Sequence, residues 1–313
     1  MPDAHPSSGP PPRGRASFPI ARIAGIQIRV HLTSLLLLAL FAWAGPDSGF
    51  GSAYAAVAWL LLIFACVVAH EMAHSLVARR RGAEVHEILL FPLGGVSKLE
   101  HLPERPADEF AIAIVGPLMS LAIAGTAALF ALAAGRSLLP VDLVRGAWLT
   151  RVMWANALLA AFNLLPAFPL DGGRVFRALL ERRMDLLAAT RLATRVGHAF
   201  AIALVAVGLL VDVWLVFIGV FVFFGASAEE RATIIHTRLR GHQVFEVMRV
   251  DLDRTGVPGW RTVTVGPDDD LTDELVAEVA QAPTHELAVI DHDEVIGVLR
   301  LEDIERLVSR PPA

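Results

Sequence analysis

Apolar residues run in long blocks along this chain, near residues 31–45, 54–79, 109–134, 147–168 and 196–225. A helix that crosses the hydrocarbon core of a bilayer needs roughly 20 mostly apolar residues, so the blocks predict spanning helices. Asp212 interrupts the last block in LLVDVWLV. A charge at mid-membrane costs about 2.5 kcal/mol or more, so a short turn there predicts two spans, about 194–211 and 213–227. The pattern as a whole predicts a multi-span α-helical membrane protein with about six transmembrane helices. Between the second and third, residues 84–101 change character: Val85, Ile88, Leu89, Leu90 and Phe91 precede Pro-Leu-Gly-Gly, and Val96 and Leu99 follow. This predicts a small β-hairpin dipping to the membrane surface. Beyond residue 228 the long blocks stop. Strand patterns at 261–265, 286–290 and 295–300 alternate with helical patterns at 271–281 and 301–308, which predicts a small α/β domain. The leading residues are rich in Pro, Gly and Ser and predict disorder. The chain thus divides into a disordered segment (1–19), a transmembrane domain (20–228) and a soluble tail (229–313).

Composition agrees with a membrane protein. Of 313 residues 55% are hydrophobic and 19% charged, with a mean hydropathy of +0.55; soluble domains carry about 45–50% apolar and about 25% charged residues. A net charge of −5 argues against nucleic acid as a partner. The single cysteine, Cys66, excludes an internal disulfide. Arginines cluster before the first span (Arg13, Arg15, Arg22, Arg29), after the second (Arg79, Arg80, Arg81) and after the fourth (Arg174, Arg177, Arg182, Arg183, Arg191, Arg195). Cytoplasmic loops are enriched in Arg and Lys, so all three clusters fall on one side when the N-terminus is cytoplasmic. Six spans then return the acidic tail to the same compartment, which predicts a multi-pass protein of the cell membrane. Residues 22–44 also imitate a secretory signal ending in Ala42-Trp43-Ala44, which leaves retention of the first helix open.

The chemistry sits in the second span, in His70-Glu71-Met72-Ala73-His74. Two histidines four apart share one face of a helix and can bind one zinc ion. Glu71 beside them is placed to take a proton from a zinc-activated water. Polar residues inside hydrocarbon are costly and mark function by default; the bland alternative is a buried polar cluster that joins helices. A catalytic zinc takes three protein ligands. Asp171, in NLLPAFPLDGG, is the best third ligand, because two prolines and two glycines break the helix and let its carboxylate turn inward. The alternative is a helix cap. Cys66, one turn before His70, is a weaker rival, because one straight helix does not readily supply three tetrahedral ligands. His31 and His198 lie near span ends and read as interfacial.

HEMAHSLVARRRG together with NLLPAFPLDGG resembles the site-2 protease family of intramembrane zinc metalloproteases. Phe91-Pro92-Leu93-Gly94-Gly95 and Gly116-Pro117-Leu118 are similar to further stretches common there. The resemblance covers roughly residues 20–230. It implies one zinc per chain held by His70, His74 and Asp171, Glu71 as general base, and Asn163 as a residue that orients or polarises the substrate. It further implies an endopeptidase that cuts single-span membrane proteins within or near the membrane, in regulated intramembrane proteolysis. Ser120 follows Met119 where the family often has Asn. A substrate helix hides its carbonyls and must unwind, and the edge of the predicted hairpin could hold it as an added strand.

The tail, VFEVMR…RTVTVGPDDDL…LAVIDHDEVIGVLRLEDIERLV, resembles a cystathionine-β-synthase (CBS) domain, a module that often binds adenine nucleotides. Asp303 matches the ribose-contacting acid, but Arg300 stands where Ser or Thr is usual. The module normally works in pairs, so a homodimer through the tail is the expectation that stands beside a plain interaction surface. Other functional classes fit less well. A channel or transporter would place charged pairs in several spans, and a membrane di-iron oxygenase needs several histidine boxes. A catalytically silent metal-binding receptor or chaperone would not need Glu71.

Overall fold

The computed structural model describes residues 17–45, 49–91, 94–100, 105–249, 264–282, 285–291 and 294–309. It divides into two compact units, Met1–Met184 and Asp185–Ala313.

The first unit opens with two strands, β1 (Ser17–Ile23) and β2 (Ile26–His31), joined by a tight turn. The predicted disordered segment therefore overlaps β1 at Ser17–Pro19, and the rest of it lies outside the described residues. Helices α1 (Leu32–Ala44) and α2 (Ala53–Arg80) follow, then β3 (Glu84–Phe91) and β4 (Gly94–Glu100). The β3–β4 hairpin is half of a four-stranded sheet ordered β1-β2-β3-β4. β2 pairs with β3 in parallel, because α1 and α2 carry the chain back between them. Alternation builds the core of this sheet: Ile26, Ile28 and Val30 point inward with Val85, Ile88 and Leu90, against Ala78 of α2. Gln27, Arg29 and His31 take the other face, and Arg29 reaches Glu87 of β3 at 3.7 Å. The buried Ser34 hydroxyl donates to the Leu90 carbonyl at 3.0 Å, which ties α1 to β3.

Helices α3 (Pro106–Ala133), α4 (Trp148–Asn163) and α5 (Asp171–Leu180) complete the first unit. α2 and α3 each have 28 residues, about 42 Å at 1.5 Å per residue. Proline at the start of α3, with Asp108 and Glu109 in its first turn, suits a helix N-terminus. α1 and α4 have 13 and 16 residues, about 20 and 24 Å, less than the roughly 30 Å hydrocarbon core. The two corresponding apolar blocks are trimmed by structure. β2 runs to His31 before α1 begins, and α4 stops at Asn163 before the proline-containing loop.

The second unit starts with α6 (Leu186–Val211) and α7 (Val213–Leu239). Asp212 sits between them as expected of the turn, its carboxylate accepting from the Trp214 backbone N–H at 2.9 Å. Ala189, Ala193, Gly197 and Ala201 form a buried small-residue row on α6. A Cβ on Gly219 of α7 would lie 2.8 Å from the Ala201 carbonyl, so the two backbones approach closely. With α2 and α3, these make four helices long and apolar enough to cross a membrane among the described residues. α7 runs past residue 228 to Leu239, so the expected domain boundary falls inside a helix. Leu239 packs into the core of the tail with Val244 of the short α8 (Val244–Val247). The tail carries β5 (Thr264–Val265), α9 (Asp273–Gln281), β6 (Glu286–Asp291), β7 (Glu294–Arg300) and α10 (Leu301–Ser309). Its sheet is ordered β5-β6-β7, with β5 parallel and β7 antiparallel to β6. Residues 261–263 of the predicted strand and the turn residues His292 and Asp293 lie outside the described residues.

Leu299 is fully buried in this core. Leu299→Ala is expected to lower tail stability by about 2–5 kcal/mol. Hydrogen exchange on the full chain should then show faster exchange in β6 and β7, with α2 unchanged.

Candidate active site

α2 carries His70, Glu71 and His74 on an apolar helix capped at its start by Ser52 and ended by Arg79 and Arg80. His70 and His74 are one turn apart, and both are buried. The chain leaves α4 at Asn163 and folds through residues 164–170 into a loop closed by backbone hydrogen bonds, Leu170 N–H to Ala167 O at 3.0 Å and Gly173 N–H to Leu170 O at 3.0 Å. A Cβ on Gly172 would lie 2.2 Å from the Leu165 carbonyl, so this loop closes only around glycine. The fold delivers Asp171 as the first residue of α5. It is not the cap, a place held by Leu170.

The Asp171 Oδ2 atom lies 3.1 Å from His70 Nε2 and 3.2 Å from His74 Nε2, and the two Nε2 atoms are 3.1 Å apart. Among the described residues His70, His74 and Asp171 form the one group of three possible metal ligands. The opposite ring nitrogens are held from α3. His74 Nδ1 lies 2.6 Å from the Ile112 carbonyl, and His70 Nδ1 lies 3.0 Å from the Ser120 hydroxyl. A carbonyl oxygen has no proton to give, so Nδ1 of His74 donates, which leaves Nε2 as the nitrogen whose lone pair can serve a cation beside Asp171. The site therefore gathers lone pairs, which fits a cation. Tetrahedral zinc with bonds of about 2.0–2.1 Å would separate its ligands by about 3.3 Å, close to the spacing of these three atoms.

The ceiling of the site is backbone. A Cβ on Gly116 of α3 would stand 2.1 Å from His74 Nε2 and 2.7 Å from His70 Nε2. A Cβ on Gly95 of β4 would stand 2.5 Å from Glu71 Cγ, so the hairpin lies directly against the general-base candidate. A buried ion pair supports the other wall. Arg177 of α5 donates from Nε to Glu109 of α3 at 3.0 Å, and its guanidinium lies 5.1 Å from the Phe168 ring. Burial, with Glu109 nearby, pushes the Glu181 carboxyl at the end of α5 above its ordinary range.

The remaining candidates make other contacts. Asn163 ends α4, and its amide donates to Leu159 O at 3.0 Å. Cys66 is buried and receives a hydrogen bond from Asn156 at 3.2 Å, away from the three donors. His31 caps α1, and His198 stacks on Phe223 and meets Ser227 at 3.0 Å. Asp303 is paired with Arg249 at 2.7 Å. Ser120 is the residue whose role sequence reasoning missed; its signal is a lone hydroxyl one turn beyond Gly116-Pro117 in an apolar run.

The Peptidase family M50 profile matches residues 58–141 and 142–204. The chain is 38% identical to Rip3 of Mycobacterium tuberculosis, named as a zinc metalloprotease, over 80% of this chain and 67% of that protein. It is 33% identical to the zinc metalloprotease MJ0392 of Methanocaldococcus jannaschii, over 74% of this chain and 66% of the other. The chain belongs to peptidase family M50. The solved site-2 protease from Methanocaldococcus jannaschii is similar in structure, with a TM-score of 0.52 and 33% identity over 69% of this chain and 95% of that one. This M50 peptidase is a multi-pass membrane zinc metalloprotease of the site-2 protease family, which acts in intramembrane proteolysis.

Loss of a hydrogen bond behind a metal-binding histidine typically costs 10–100-fold in metal affinity. Ser120→Ala is expected to weaken zinc binding by about that factor in competition with a chelator. Gly116→Ala, which puts a methyl group among the ligand atoms, is expected to leave the purified protein without stoichiometric zinc.

Proposed function

We propose that this M50 peptidase hydrolyses peptide bonds of single-span membrane proteins below the cytoplasmic face of the membrane. The observation that carries this reading is the convergence of His70, His74 and Asp171 beside Glu71, inside an apolar helix. Glu71 lies eight residues before Arg79, about 12 Å along the helix, so the chemistry sits beneath the arginine-marked end of α2. Six spans with cytoplasmic termini account for the arginine clusters, with α1 and α4 as the two short spans.

Zinc, bound by His70, His74 and Asp171, would supply Lewis acidity toward a water and the scissile carbonyl. Glu71 accepts the proton of the attacking water on its carboxylate and returns it to the leaving amine. Asn163, at the mouth of the Asp171 loop, offers its amide to the substrate near the metal. β4 is an edge strand of the sheet, and its Gly95 packs on Glu71. An unwound substrate segment added to that edge would present its carbonyls beside the base. We read residues 229–313 as a cytoplasmic CBS-like module through which two chains associate. Adenine-nucleotide binding there would require Asp303 to leave Arg249.

Glu71→Gln is expected to keep zinc at one per chain and to lower cleavage by about 10²-fold or more. Membranes of cells carrying this variant should accumulate single-span fragments, detected by comparative proteomics. Zinc retained in the wild type without any accumulation in the variant would instead support a silent metal-binding receptor.

A further inference from the structure

A second polar site lies at the arginine-rich end of α2, apart from the metal ligands. Arg22, Gly25, Gln27 and His86 line a pocket of about 220 Å³, several times the roughly 30 Å³ share of a water molecule. Its frame is the β1–β2 turn, where Ala24 and Gly25 both adopt positive φ, 51° and 83°. That turn presents two carbonyls, and each holds an arginine. Arg22 Nε donates to Gly25 O at 3.3 Å, and Arg79 Nη1, from the last turn of α2, donates to Ala24 O at 2.5 Å. Arg79 also stands 3.6 Å from where a Gly25 Cβ would be, so two guanidinium groups meet at one turn. Arg22 lines the pocket and spends one nitrogen on the turn, with further N–H donors left over, since guanidinium has five; Arg79 braces the turn beside it.

Two guanidinium groups, Arg22 in the lining and Arg79 beside it, stand near one carboxylate, Glu84. Glu84 pairs with His86 at 3.6 Å and is mostly exposed, while Glu87 faces Arg29 at 3.7 Å. Clustered guanidinium donors with a ring nitrogen and a carboxamide recognise oxyanions, and phosphate above all. Location selects the source. Arg79 and Arg80 end an apolar 28-residue helix, the level at which headgroups meet a spanning segment. On the adjoining edge strand β1, Phe18, Ile20 and Ile23 are 51%, 61% and 47% exposed, a surface suited to lipid rather than to water.

We propose that this pocket binds the phosphate of an anionic phospholipid headgroup, with Arg22 as its charged donor, Arg79 bracing the turn beside it, and β1 resting on the lipid surface. The proposal rests on α2 crossing the membrane and is independent of catalysis. Native mass spectrometry of the full-length protein, released from micelles with equal phosphatidylglycerol and phosphatidylcholine, tests it. Wild type is expected to retain phosphatidylglycerol several-fold over phosphatidylcholine. The Arg22→Gln/His86→Gln double variant should bring that ratio near one, while Arg80→Gln, on the same helix end but outside the pocket, should preserve it. Retention that persists in excess inorganic phosphate supports the headgroup as ligand. Displacement by inorganic phosphate alone would assign the pocket to the free ion and overturn the lipid assignment. Equal retention of both lipids by wild type, or equal loss in the double variant and Arg80→Gln, would overturn the site itself.

Discussion

Two imidazole nitrogens and one carboxylate oxygen meet within 3.1–3.2 Å in a buried pocket. Three such atoms offer a cation a ready set of lone pairs, and in low dielectric their attraction for it is poorly screened. The Ile112 carbonyl behind His74 fixes which nitrogen carries the proton and therefore which carries the lone pair. Three parts of the first unit hold these atoms together. α2 sets two of them by its pitch, the Asp171 loop brings the third from another helix, and α3 grips the rings from behind.

That grip works through closeness of backbone. Gly116 lets α3 lie against the imidazoles, Gly172 lets the loop fold back on α4, and Gly95 lets the sheet edge reach Glu71. The Arg177–Glu109 pair then anchors α5 to α3, under the cation–π contact with Phe168 in the loop. A buried pair of this kind contributes less through its net energy than through the penalty for separating it. It resists the movement of α5 that would withdraw Asp171.

Much of this was legible in residues alone, and the reasons differ by element. HEMAH announces itself because histidine and glutamate are expensive in an apolar run. Asp171 is readable because two prolines and two glycines mark broken helix at that depth. Ser120 was not readable as a partner of His70, because one hydroxyl in a helix usually bonds its own backbone and nothing local says that α3 passes behind α2. β1 and β2 escaped notice although Ile26, Ile28 and Val30 alternate with polar residues; a basic juxtamembrane segment gives the same composition. The lengths of α1 and α4 were overestimated because hydropathy counts apolar residues in a strand end or a loop as if they were helix. Asp303 matched a sequence pattern, but its partner Arg249 lies 54 positions away, beyond the reach of any local signal.

Zinc K-edge absorption spectroscopy on the purified full-length protein tests the central claim most directly. The account predicts one zinc per chain with a first shell of two imidazole nitrogens and at least one oxygen at about 2.0–2.2 Å, and with the imidazole signal or occupancy reduced in His74→Ala. A sulfur scatterer from Cys66, or protein without stoichiometric metal, would contradict it.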